Sequence, residues 1–182
     1  MKNDDTILLS LIRCVIKNCV DENIELCDAT WSDIMCLSQS QTISAFVIDG
    51  LQKYLSNYPE CKPFANETKA QKRLRMQWFG RTITIEKDYA KHETAIADLA
   101  RIYEQSGIGM MVLKGYGLSL NWPVPDHRPM GDLDIYNFGK YKDADNLISQ
   151  HYNIKIDSRH EHHTTFRFED ILVENHYDFI NV

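Results

Sequence analysis

Leu8, Leu11, Ile12, Val15, Ile16 and Cys19 recur at three- and four-residue intervals and draw an apolar stripe along one face of a helix. Asp5 or Thr6 stands just ahead of that stripe and is expected to cap it, because a short polar side chain accepts from amides the first turn leaves free. A second helix is predicted after Thr30, with Trp31, Ile34, Met35 and Leu37 as its apolar positions. A third carries Ile43, Phe46, Val47, Leu51, Tyr54 and Leu55 and ends before Pro59. From 68 to 105 there is no proline and one glycine, Gly80, which predicts one long helix or two consecutive ones, closed by Ser106-Gly107.

The pattern changes after Gly107. Met110-Met111-Val112-Leu113 is a short apolar run of the kind expected for a buried strand. A loop punctuated by Pro123, Pro125 and Pro129 follows, and strand character resumes at Leu133-Asp134-Ile135-Tyr136. Residues 141–150 predict a helix with Tyr141, Ala144, Leu147 and Ile148 on one side. Two strands are predicted at 164–168 and 171–177, joined by a Glu169-Asp170 turn. Helices followed by strands make an α+β chain, divided into a helical region over 1–106 and a strand-rich core over 107–182.

Composition narrows the class. With 43% hydrophobic and 25% charged residues in 182, the chain can bury a core without disulfides or a structural metal. A net charge of -6 argues against an extended nucleic-acid surface, which needs a basic face. The most basic run, Lys69, Lys72, Arg73, Arg75 and Arg81, is expected to be a solvated helix face. Cysteines at 14, 19, 27, 36 and 61 form no Cys-x-x-Cys pair and read as scattered thiols of a reducing compartment. Met1-Lys2-Asn3-Asp4-Asp5 has no signal-peptide character, and no apolar run approaches the roughly 20 residues of a membrane span. A cytoplasmic protein that does not enter the membrane is expected.

The candidate chemistry sits at Gly131-Asp132-Leu133-Asp134-Ile135. On a strand, positions i and i+2 project from one face, so Asp132 and Asp134 would point together while Leu133 and Ile135 face a core. Paired carboxylates repel unless a cation lies between them, and Mg²⁺ suits a few carboxylate oxygens plus phosphates and water. Gly131 permits close backbone approach beside the acids. Upstream, Leu113-Lys114-Gly115-Tyr116-Gly117 leads a strand into a glycine turn that can offer amides to phosphate oxygens. His162 and His163 are adjacent, so one of them points toward the acids' face, and His163 is a candidate for phosphate or acceptor contact. His176 shares a strand face with Glu174. Trp78, Trp122, Tyr116 and Tyr136 are weighed as base-stacking groups, with packing the stronger expectation.

Leu113-Lys114-Gly115, Arg128, Gly131-Asp132-Leu133-Asp134 and Val173-Glu174-Asn175-His176-Tyr177 together resemble the uncharacterised bacterial nucleotidyltransferase family called nucleotidyltransferase 5, of the DNA polymerase β-like superfamily. The resemblance covers about 31–177 and implies a small mixed sheet flanked by helices. It implies two Mg²⁺ ions, or Mn²⁺ in their place, held by Asp132, Asp134 and a third carboxylate, Glu174. Lys114, Gly115, Arg128 and Gly131 would contact the triphosphate of an NTP, and the acceptor would be a hydroxyl on a small molecule or protein. The family's glycine turn departs from the superfamily's usual Gly-Ser, and Ser119 is the nearest serine to supply the missing phosphate contact. The chain ends eight residues after Glu174, a position at which a truncated core is one expectation. Two other readings stay open: a catalytically degenerate nucleotide-binding or interaction module, such as a toxin–antitoxin component, and a metal-dependent phosphohydrolase.

Overall fold

The computed structural model describes residues 3–17, 26 and 30–178, so Cys19 and Cys27 lie outside the described residues. Its elements are α1 (Asn3–Ile16), α2 (Trp31–Ser40), α3 (Ser44–Asn57), α4 (Lys69–Gln105), β1 (Met111–Val112), α5 (Lys114–Ser119), β2 (Leu133–Tyr136), α6 (Tyr141–Tyr152), β3 (His163–Phe168) and β4 (Ile171–His176). A 3₁₀ turn spans Pro125–His127. Helices then strands make the expected α+β chain. Among the described residues no helix is long and apolar enough to cross a membrane.

The chain forms two compact units. One comprises Met1–Lys87 with Pro123–Pro129; the other comprises Asp88–Trp122 with Met130–Val182. Helix α4 supplies residues to both, up to Lys87 in the first and from Asp88 in the second. Its start is a capping box: Gln71 Oε1 accepts from the Thr68 amide at 2.8 Å, and Thr68 Oγ1 accepts from the Gln71 amide at 3.3 Å. Its end is a left-handed Gly107 with φ 67°, where the Ile108 amide reaches back to the Tyr103 carbonyl at 2.9 Å.

In the first unit, Ile7, Leu8, Leu11 and Cys14 pack with Ile34, Met35, Val47, Ile48, Leu51, Tyr54 and Trp78. Within α1, Leu8, Leu11 and Val15 of the stripe are buried and Ile12 packs against the core, while Ile16 is 65% exposed at the helix end. The helix begins earlier than predicted. Asp5 and Thr6 lie inside it rather than capping it, and Asp4 Oδ1 accepts from the Thr30 amide at 2.8 Å. Gly50 lets α3 lie against α1, since a Cβ there would collide with the Leu11 carbonyl. The Pro123–Pro129 segment brings His127 between two acids, with Nδ1 2.7 Å from Asp49 Oδ1 and Nε2 3.0 Å from Glu86 Oε1. Burial lowers the affinity of that imidazole for a proton, but the hydrogen bonds of Asp49 and Glu86 and the charges of Asp49 and Asp126 outweigh it and hold its pKa above the ordinary value.

In the second unit the strands form one sheet in the order β1-β2-β4-β3. β1 pairs antiparallel with β2, β2 parallel with β4, and β4 antiparallel with β3, which makes the sheet mixed. The expected buried strand at Met110-Met111-Val112-Leu113 is instead a short edge strand, with Met111 37% exposed. Sheet order decides this, since an edge strand is flanked on one side only. Glu169 and Asp170 both have positive φ, 49° and 65°, as the tight two-residue turn between β3 and β4 requires. Leu133, Ile135, Phe166, Phe168 and Val173 pack against Ala95, Leu99 and Tyr103 of α4 and Ala144 and Ile148 of α6. The residues alternating with them project from the opposite face.

Candidate functional site

That opposite face carries the chemistry. Parallel pairing sets Asp134 of β2 directly beside Glu174 of β4, and antiparallel pairing sets His163 of β3 beside His176. Strand alternation alone therefore gathers two carboxylates and two imidazoles, because cross-strand partners project to the same side. Asp134 is only 5% exposed, and its Oδ1 lies 2.8 Å from His176 Nε2. The Glu174 carboxylate lies between the imidazoles, with Oε1 3.7 Å from His163 Nε2 and Oε2 3.6 Å from His176 Nε2. The His160 ring stacks on His163, with centroids 4.7 Å apart. Burial holds the His163 pKa below its ordinary value, against the pull of Glu174. Nδ1 of the buried His176 has no hydrogen-bond partner.

Asp132 takes a different position from Asp134. It precedes β2 and is exposed, while Asp134 is inside the strand and buried. Lys114 opens the turn after β1 with φ 39°, a region that costs a side-chain-bearing residue energy and is held only by its surroundings. Its ammonium lies 3.5 Å from Asp134 Oδ1 and stays 45% exposed. Gly115 follows with φ 18° and ψ -105°, a kink at the start of α5. The Leu113 amide donates to the Asp134 carbonyl at 2.9 Å, which ties this turn to β2.

Ser119 does not stand in for the superfamily serine. It is fully buried, donates to the Tyr116 carbonyl at 2.6 Å and meets the Tyr89 hydroxyl at 3.0 Å. Tyr116 is committed too, its hydroxyl donating to Glu93 at 3.0 Å, and Trp78 is a core residue. Tyr136 packs on Phe138 with ring centroids 5.3 Å apart. Arg128 belongs to the Pro123–Pro129 segment of the first unit, where it donates to the Pro129 carbonyl at 3.4 Å.

One positioning residue escaped the sequence reading. His92 of α4 is buried, with Nδ1 2.7 Å from the Asp88 carbonyl and Nε2 2.9 Å from the Gly131 carbonyl. It holds the backbone just ahead of Asp132 and Asp134. Only the buried face of α4 could have signalled it, since nothing in the local sequence links positions 92 and 131. The sheet's helix-covered side has a polar feature of its own, an open cleft of about 560 Å³ lined in part by Tyr141, Asp145, Ser149, Lys155 and Thr164. There the Asn175 amide donates to Asp145 at 3.0 Å, and burial raises the Asp145 pKa.

The sequence model of a family described as uncharacterised nucleotidyltransferase matches residues 28–182. No curated protein and no solved structure matches the chain. With that span matched, the chain belongs to the uncharacterised nucleotidyltransferase family.

Proposed function

We propose, on the premise of that membership, that the chain transfers a nucleoside monophosphate from an NTP to a hydroxyl acceptor, a small molecule or a protein, with Mg²⁺ or Mn²⁺ as the working cation. The observation that carries this reading is the pairing of Asp134 with Glu174 on adjacent parallel strands, with the Lys114 ammonium 3.5 Å from Asp134.

The donor set fits a divalent cation. A buried carboxylate and its neighbour Glu174 share a face, and the half-exposed Lys114 brings a positive charge to within 3.5 Å of the buried one. Such a concentration of acids favours a cation that also meets phosphate oxygens. Asp134 and Glu174 would hold it from the sheet, and Asp132 from the exposed approach to β2. When bound, the cations would offset phosphate charge and stabilise the attacking and leaving oxygens of an in-line displacement.

The protein's own groups supply the rest. Glu174 accepts the proton of the acceptor hydroxyl, whose oxygen bonds to the α-phosphorus as the bond to the bridging oxygen breaks and pyrophosphate leaves. Lys114 offers its exposed ammonium to the triphosphate, and the amides of the Gly115 turn add donors. His92 keeps Gly131 and hence Asp132 in place. His163, one-fifth exposed beside Glu174, contacts the phosphate or the acceptor.

Calorimetry with each NTP, with and without Mg²⁺, tests the reading. Metal-dependent binding is expected in the wild type and its loss in Asp132→Ala/Asp134→Ala. A wild type that binds no NTP in the presence of Mg²⁺ would sink it, and binding that survives the double substitution would move the site elsewhere.

A further inference from the structure

The imidazoles beside Glu174 are not what a magnesium site calls for. Mg²⁺ takes oxygen ligands, whereas neutral imidazole nitrogen suits Zn²⁺ and neighbouring transition ions. Among the described residues, His163, Glu174 and His176 are the group whose donor atoms could hold one ion, all lying within 4.8 Å of one another. The pairwise distances are telling. Tetrahedral Zn²⁺ with bonds of about 2.1 Å sets its ligands roughly 3.4 Å apart. Glu174 Oε1 lies 3.7 Å from His163 Nε2, and its other oxygen, Oε2, lies 3.6 Å from His176 Nε2, before any ion draws them in.

Two imidazoles and a carboxylate with one position open is a recurrent donor set of catalytic zinc. Asp134 Oδ1 lies 2.8 Å from His176 Nε2, a hydrogen bond that an ion on that nitrogen would displace, so Asp134 stands beside the group and outside it. The imidazoles are also held for the purpose. His176 is 3% exposed on β4, and His163 is backed by the stacked ring of His160. We infer that His163, Glu174 and His176 form a transition-metal site for a Zn²⁺-type ion, with one coordination position left open. The site goes beyond the nucleotidyltransferase reading and competes with it for Glu174 and His163, since a Zn²⁺-type ion held there would take the place that reading gives to Mg²⁺. Its geometry stands independently of that reading.

The test uses the full chain, stripped of metal with a chelator and titrated with ZnCl₂, CoCl₂ or MgCl₂ alone. One Zn²⁺ per chain is expected, bound at least 100-fold more tightly than Mg²⁺. Co²⁺ should give the visible absorption of a low-coordinate nitrogen and oxygen site without a near-ultraviolet thiolate band, which separates it from binding by the cysteines. His163→Ala and Glu174→Gln, both at partly exposed positions and checked by circular dichroism, should each weaken Zn²⁺ at least tenfold.

Equal affinity for Zn²⁺ and Mg²⁺, a thiolate band, or affinity unmoved by His163→Ala would overturn the inference. Mg²⁺-dependent NTP binding alongside a blank Zn²⁺ titration would remove this site and leave the nucleotide reading standing. The reverse pattern would remove the nucleotide reading and leave the metal site.

Discussion

Single side chains show how much of the site was legible beforehand. Asp134 and His163 could be chosen because strand alternation is written in the local sequence, Glu174 came from the family resemblance, and the register puts Glu174 beside Asp134. The bond between His176 and Asp134 was not legible, for it joins positions 42 apart and depends on the parallel pairing of β2 with β4. Nor was the His92 contact to Gly131, made across 39 positions. His127 gives a prediction at this scale. Its folded pKa is raised by Asp49 and Glu86, with a contribution from Asp126, so its stabilisation is complete below the unfolded value and is lost as pH rises through the folded one. Thermal melts from about pH 6 to 9 should show the advantage of the wild type over His127→Gln shrinking as pH rises. Curves that stay parallel across that range would show that the imidazole carries no charge-linked stabilisation. The pKa of Asp49 is itself raised, chiefly by burial and against the pull of His127.

Whole elements were read more reliably than their ends. β2, α6 and the hairpin of β3 and β4 lie where alternation and helical spacing put them, because each buries one face and exposes the other. The apolar run around Met111 misled, since burial of a strand depends on its place in the sheet and an apolar run does not encode that place. The start of α1 misled as well: the helix already runs from Asn3, so Asp5 and Thr6, which suit an N-cap by residue type, lie within it. The close approach of α1 and α3 yields a prediction. Gly50→Ala would drive a methyl into the Leu11 carbonyl, and overpacking of this kind costs about 1–3 kcal/mol. Urea unfolding should show that loss in the midpoint at unchanged slope. Gly80→Ala is the control: its Cβ would meet nothing within 4 Å, and adding a side chain in a helix interior stabilises by up to about 1 kcal/mol.

For the molecule as a whole, charge and membership set the bounds. The net charge of -6 argues against a broad cationic face, and within the basic run Arg75 pairs with Glu67 at 2.6 Å. Fluorescence anisotropy with a labelled single-stranded oligonucleotide should therefore show no saturable binding at ~10 μM protein in ~0.15 M salt, the range in which non-specific binders are already engaged. Saturable, salt-sensitive binding would mean that the acceptor includes a nucleic-acid backbone. The α+β class followed from composition and periodicity. The division into two units did not, because the return of Pro123–Pro129 to the first unit is a tertiary event that leaves no trace in local pattern.

The hairpin of β3 and β4 has a kinetic consequence. His163, Glu174 and His176 all lie on it, joined by a turn whose left-handed residues favour rapid local closure. Asp134 joins them only when β2 pairs in parallel with β4, a non-local event that costs more chain entropy. The imidazoles and Glu174 should therefore assemble on the microsecond scale of hairpin formation, before the acidic strand arrives. An ion captured at that stage would cross-link the nucleus of the sheet, so this protein's refolding rate, and not its finished stability alone, would depend on the metal present while it folds.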